Sequence, residues 1–275
     1  MRFSLWPSSA LSWPEVLDVA SQAEATGWDG IWLADHFMPN ADDVSDPMHE
    51  CFSLLAALAA SVPRVRLGSL VAGNTYRHPA VLAKAAATID HVSGGRFVLG
   101  LGAGWQENEH AAYGIDLGTV GERIRWFAEA CEVITSLRDH ERTTFDGQRY
   151  QLAGAPLEPK PIGPLPLLIG ASGEKAMPPI VARHADEWNV WGTPERFAAK
   201  SAVMTAACEA IDRDPASLQR STQALMFIGP DGAATAARIG GDRVIGGTSE
   251  QLVEIVAEYA AAGLDELIVP TFTFR

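Results

Sequence analysis

Basic residues are scarce in this chain. Lysine and arginine number 21 against 34 aspartate and glutamate, a formal net charge of -13. A chain of that sign offers nucleic acid no basic footprint, so an anionic ligand must be held by local groups rather than by the overall field. Cysteine is scarcer still: Cys51, Cys131 and Cys208 are odd in number, far apart and without ligand-like spacing. They exclude a disulfide framework and read as reduced thiols. The seven histidines form no His-x-His pair and no HExxH run, so no metal site is expected. No apolar run approaches the about 20 residues of a membrane span. No basic start with an apolar core precedes Trp6-Pro7, as a secretory signal would require. A soluble cytoplasmic protein with neither membrane nor nucleic acid as partner is the expectation.

Glycine is plentiful, and its densest use is Gly94 to Trp105, GGRFVLGLGAGW. Gly94 and Gly95 break the chain, Phe97 to Leu101 reads as a short strand, and Gly100, Gly102 and Gly104 then leave the backbone bare at alternate positions. That spacing marks either a tight strand-to-helix turn or a ligand lying close to the main chain. It matches a dinucleotide fingerprint poorly, because Trp105 replaces the third glycine and no such strand opens the chain.

Strand and helix signals alternate throughout. Arg2 to Trp6 alternates around apolar residues, and Ser12-Trp13-Pro14-Glu15 supplies a capping box with proline in the first turn of a helix that Gly27 ends. Further strands are expected at Ile31 to Leu33, Val65 to Val71, Leu165 to Ile169, Glu187 to Val190, Ala224 to Ile228 and Glu266 to Pro270. Helices are expected at Cys51 to Ser61, from His78-Pro79 to about His91, at Glu107 to Tyr113, from Thr119 to about Leu137, and at Ser249 to Ala262. Residues of about 138–164 form an insertion with a hairpin signal at Asp146-Gly147, and about 198–246 is the most variable segment. Eight strands alternating with helices is the count of a closed parallel (β/α)8 barrel of the TIM type, with residues 1–275 as a single domain. An open doubly wound sheet is the alternative, disfavoured by the missing dinucleotide turn.

In a barrel the carboxyl ends of the strands share one mouth. Asp35 and His36, Leu70 and Val71, Gly102 and Gly104, and Gly170, Ala171 and Ser172 would then face one another. His36 beside Asp35 suits a general acid or base, with the carboxylate orienting the ring, though a capping Asp beside an incidental His would read the same. Gly170-Ala171-Ser172-Gly173 between strand and helix offers backbone N–H groups to a phosphate, or is an ordinary turn. Trp105, Trp188 and Trp191 are candidates to wall an aromatic ligand, or to be core. His78, His91, His110 and His184 sit at helix starts and ends and carry less weight.

Taken together, the segments GWDGIWLADHF, LGSLVAGNTYRHPAVLAK, SGGRFVLGLGAGWQENEHAAYGI, TFDGQRYQL, PLLIGASG and ADEWN, in this order, resemble the luciferase-like monooxygenase superfamily, in its branch that uses the deazaflavin coenzyme F420. The resemblance implies a TIM-like barrel with the deazaflavin ring at the mouth. It implies a non-prolyl cis peptide at Leu70-Val71 behind the ring, contacts from Asp35 and His36 to cofactor and reacting centre, and Gly102, Gly104 and Gly170 to Ser172 on the tail and phosphate. Trp105, in the cofactor wall, stands where sugar-phosphate dehydrogenases of the branch carry a catalytic glutamate, which argues against such a substrate. It further implies a homodimer through helices of the second and third units, for which Leu54 to Ala60 is apolar enough. His36 is the expected catalytic residue, passing the proton that accompanies hydride transfer to or from a small organic substrate. An FMN-dependent monooxygenase is the rival on the same fold, and a non-catalytic flavin- or deazaflavin-binding barrel a further alternative.

Overall fold

A computed structural model describes residues 1–273. β1 (Arg2–Trp6) is followed by α1 (Trp13–Thr26), where the Ser12 N–H and hydroxyl both donate to Glu15, and Gly27 ends the helix in a left-handed conformation. β2 (Gly30–Leu33), α2 (Cys51–Ser61), β3 (Arg66–Ser69), β4 (Ala72–Gly73), α3 (Pro79–Ser93) and β5 (Phe97–Gly102) complete the first half-barrel. α4 (Glu107–Tyr113) and α5 (Val120–Asp139) come next, then an antiparallel hairpin of β6 (Thr143–Asp146) and β7 (Gln151–Ala155). β8 (Leu167–Gly170), α6 (Met177–His184), β9 (Glu187–Trp191), α7 (Pro194–Glu209) and β10 (Gln219–Gln223) follow. The chain then runs through β11 (Leu225–Ile228), α8 (Gly232–Ile239), β12 (Val244–Gly247), α9 (Ser249–Ala261) and β13 (Glu266–Pro270).

The main sheet runs β3-β2-β1-β13-β10-β9-β8-β5, all parallel, and pairing of β3 with β5 closes it into an eight-stranded barrel. β3 and β4 are one strand interrupted at Leu70-Val71, whose peptide bond is cis, after which Ala72 and Gly73 rejoin β5. The third strand is therefore split rather than continuous from Val65 to Val71.

The seventh barrel strand corrects the sequence expectation. Ala224 to Ile228 was the apolar candidate, yet the barrel takes the preceding Gln219–Gln223, and Leu225–Ile228 pairs with β12 in a separate two-stranded parallel sheet. The reason is what faces inward. Ser221 and Gln223 hydrogen-bond Asn189 of β9, so this strand is held by polar pairing inside the barrel and shows no apolar run.

Most of the core lies between barrel and helices, whereas inside the barrel Trp32, Leu70, Val98, Leu168 and Ile268 form a small cluster of their own. Below that cluster the barrel is plugged by charge. Glu266 accepts from Ser4 Oγ (2.6 Å), Trp32 Nε1 (2.8 Å), Arg66 (2.7 Å) and Arg2 (3.1 Å), and Arg66 also reaches Glu187 at 2.5 Å. Leu54, Leu55, Leu58 and Ala59 of α2 are buried within the chain itself, which accounts for much of that helix's apolar character. Among the described residues, no helix is long and apolar enough to cross a membrane, and no cluster of His, Cys, Asp or Glu could hold a metal ion.

Candidate active site

The carboxyl ends of the strands surround a cavity of about 730 Å³, within the ~300–1,000 Å³ usual for cofactor and substrate sites. Asp35, His36, Leu70, Val71, Gly102, Gly104, Trp105, Gly170, Ala171 and Ser172 all line it, brought together from four separate strand ends. Trp191 lines it too. Trp188 does not: it is fully buried, stacks on Phe197 and donates its indole N–H to Ala171 O, so it is a core residue.

Asp35 does not orient His36. Successive side chains of an extended segment point to opposite sides, and Asp35 turns away into a bidentate pair with Arg77 at 2.6 and 3.0 Å while accepting the Gly73 N–H at 3.1 Å. Burial pushes its carboxyl up, against the pull of Arg77 and that N–H. Arg77 also bonds Glu50, which accepts from the N–H groups of Phe52 and Ser53 at the start of α2, and its guanidinium lies 4.7 Å from the centre of the Phe52 ring. The Asp35–Arg77–Glu50 chain thus ties the end of β2 to β4 and α2.

The group that does orient His36 is Glu109, in the first turn of α4. His36 Nδ1 lies 2.7 Å from Glu109 Oε1, the Phe37 N–H donates to Oε2 at 2.8 Å, and the Tyr76 hydroxyl donates to Oε1. The Glu109 side chain has no exposed surface. Burial acts to raise its carboxyl, but the hydrogen bonds from His36, Phe37 and Tyr76 outweigh it and hold the group below the usual range. A carboxylate only accepts, so Nδ1 of His36 carries the hydrogen, and Nε2 is left without a protein partner among the described residues, in a ring that lines the cavity. Trp105 meets the His36 ring edge-on at 5.5 Å. Glu109 is not legible in the sequence because Glu107-Asn108-Glu109-His110 reads as a solvated helix start, and Tyr76 because its partner lies 33 residues further along.

What crowds the glycines is the chain itself. A Cβ on Gly100 would lie 1.9 Å from Ser69 O, and one on Gly102 would lie 2.8 Å from Val71 Cγ2. Gly170 meets the same Val71 side chain at 3.0 Å, and Gly104, at φ +86°, abuts Thr75. Gly100, Gly102 and Gly170 therefore make room for the Leu70-Val71 bulge, which itself faces the cavity. In the Gly170–Gly173 turn, Ala171 N–H is already given to Asn189 O at 3.0 Å. The N–H groups of Ser172 and Gly173 donate to no protein acceptor among the described residues. The helix that follows starts only at Met177, so these are loop amides and not a helix terminus.

The chain is similar to an F420-dependent glucose-6-phosphate dehydrogenase from Kineococcus radiotolerans, 37% identical over 160 residues, 58% of this chain and 47% of the relative. It is also similar to an F420-dependent hydroxymycolic acid dehydrogenase from Mycobacterium tuberculosis, 31% identical over 219 residues, 79% of this chain and 60% of the relative. The chain spans about half the length of the curated relatives it matches. Among solved structures, an F420-dependent secondary alcohol dehydrogenase in complex with an F420-acetone adduct shares the fold at a TM-score of 0.87 and 19% identity, covering 98% of this chain and 92% of that one. Barrel, interrupted third strand and glycine-lined mouth agree with a sequence match over residues 1–263, and the chain belongs to the luciferase-like monooxygenase family.

Proposed function

We propose that the protein is an oxidoreductase that transfers hydride between coenzyme F420 and a small organic substrate, with His36 carrying the accompanying proton. The observation that carries this reading is the His36–Glu109 pair, an imidazole held in one tautomer by a buried carboxylate with its other nitrogen at the cavity. The F420-dependent relatives and fold neighbours support the choice of cofactor.

The cavity fits a flat ring with a phosphate-bearing tail. Leu70 and Val71 offer an apolar backing. The unpaired amides of Ser172 and Gly173 are donors suited to a phosphate, and Arg123, in the first turn of α5, adds a positive charge to the same lining. When bound, a deazaflavin supplies a carbon centre that accepts or gives hydride and reacts poorly with oxygen. The chain's own part is to position, to exclude water and to hold a proton at His36 Nε2.

Titration of the purified protein with oxidised F420 and with FMN, read by fluorescence, tests this. Micromolar F420 binding with FMN much weaker is expected. Preference for FMN would instead make the protein a flavin-dependent monooxygenase, and binding of F420 with no hydride exchange to any substrate would favour a non-catalytic carrier. The reading includes a homodimer through the outward side of α2, where Ala56, Ala57 and Ala60 are not buried. A light-scattering mass equal to one chain would remove that part.

A further inference from the structure

The cavity has a second wall, built of different chemistry from the glycine turns. Trp6 ends β1 and Trp191 ends β9; their ring centres lie 5.4 Å apart, and Phe272 stands edge-on to Trp6 at 5.6 Å. Both tryptophans line the cavity, and so does Gln223, at the end of the neighbouring β10 and 2% exposed. The orientation of the Gln223 amide follows from its neighbours. The Ser221 hydroxyl donates to Trp188 O at 3.3 Å, so its oxygen is the acceptor for Asn189 Nδ2 at 2.9 Å. The same Asn189 nitrogen donates to Gln223 Oε1 at 2.8 Å. Gln223 Nε2 is thereby turned away from Asn189 and donates to no protein acceptor among the described residues. A nearly buried donor left in that way, in the wall of a cavity, suits an acceptor that the protein does not supply.

The rest of the lining narrows what that acceptor belongs to. Arg123 and Arg243 are the cations in the lining among the described residues, and Arg123 already donates to Gly118 O at 2.9 Å. Where β1, β9 and β10 end, by contrast, a ligand meets the Trp6 and Trp191 faces and one neutral oriented donor, Gln223 Nε2.

We propose that the substrate is flat, an aryl or conjugated ketone or the corresponding alcohol, stacked on the Trp6–Trp191 wall with its oxygen accepting from Gln223 Nε2. This rests on the reading of the site as a hydride-transfer centre. Reduction adds a hydride to the carbonyl carbon and a proton to its oxygen. The hydride comes from reduced F420, which is left oxidised, and the proton from the doubly protonated ring of His36, which is left neutral. Oxidation of the alcohol runs the same exchange in reverse. Trp191 and Gln223 are then the residues that set specificity, Trp191 for the ring and Gln223 for the oxygen.

The test compares three hydride donors on the F420-loaded enzyme: 1-phenylethanol, 2-propanol, which has the same carbinol without the ring, and glucose 6-phosphate. The highest kcat/KM is expected for 1-phenylethanol. Trp191→Ala should raise its KM about tenfold and leave that for 2-propanol within about twofold, Trp191→Phe should restore most of the loss, and Gln223→Leu should raise both KM values about tenfold. A preference for glucose 6-phosphate, or a Trp191→Ala variant that treats the two simple alcohols alike, would overturn the proposal. Calorimetric titration of the cofactor-free protein with acetophenone keeps the two readings apart. Binding weakened by Trp191→Ala supports the aromatic wall even where F420 itself fails to bind, and no binding in the wild type overturns the wall.

Discussion

Glu266→Ala is expected to destabilise the fold by about 3 kcal/mol, the lower end of the ~3–5 kcal/mol seen when one partner of a buried charge pair is removed. The lower end applies because Arg2 and Arg66 still reach solvent with 31% and 22% of their side chains, while Glu266 reaches none. Four donors converge on this carboxylate, from a hydroxyl, an indole and two guanidiniums, and two carboxylate oxygens offer about four acceptor sites. Alanine leaves all four donors to water or to nothing. Glutamine keeps the volume but sets an amide N–H against donors, so Glu266→Gln should fare little better. The shift of the urea midpoint for both variants at neutral pH measures this. A loss below about 1 kcal/mol for Glu266→Ala would mean that water replaces the carboxylate and that the barrel floor is not held by it.

How much of this is legible in the sequence depends on how local the signal is. Helix starts are written within four residues, as in Ser12 to Glu15 and Thr119 to Glu122, and the structure puts both where the spacing does. The barrel is legible as a count of alternating units, and β13 falls on Glu266–Pro270 as read. β10 is not, because its inward face is polar: Ser221 and Gln223 are satisfied by Asn189, 32 and 34 residues away, and a reading that seeks apolar alternation slides to the next apolar run. The site divides in the same way. Residues that share the mouth because strand ends share it are legible once the barrel is. Which carboxylate serves His36 is not, because the neighbouring Asp35 points the other way and Glu109 comes from 73 residues further along. The alternating glycines are legible as close approach, but what approaches is the bulge of the adjacent strand at Gly100 and Gly102, and Thr75 at Gly104.

Replacing His36 with alanine is expected to cut turnover with F420 by about 10²-fold or more while leaving cofactor affinity largely intact, since the loss is of a proton carrier and not of a ring contact alone. Glu109→Gln is the sharper experiment. It keeps the size of the side chain but can present an amide N–H to His36, which removes the reason for Nδ1 to hold the hydrogen and frees the ring to adopt the other tautomer. A loss of turnover approaching that of His36→Ala is therefore expected from a residue with no surface on the cavity. The stability of the variant separates this from a folding defect. Because hydrogen bonds hold the Glu109 carboxyl below its ordinary value of 4.5, the stability it contributes is fully present above that value and is lost only as pH falls through the lowered one. Titration of activity at higher pH in the wild type thus belongs to another group. In Glu109→Gln the urea midpoint at neutral pH should fall only modestly, so a large loss of turnover beside it comes from the misoriented ring and not from unfolding. Turnover in Glu109→Gln close to that of the wild type, with His36→Ala reduced, would leave His36 as a binding contact and give the proton to another group in the cavity.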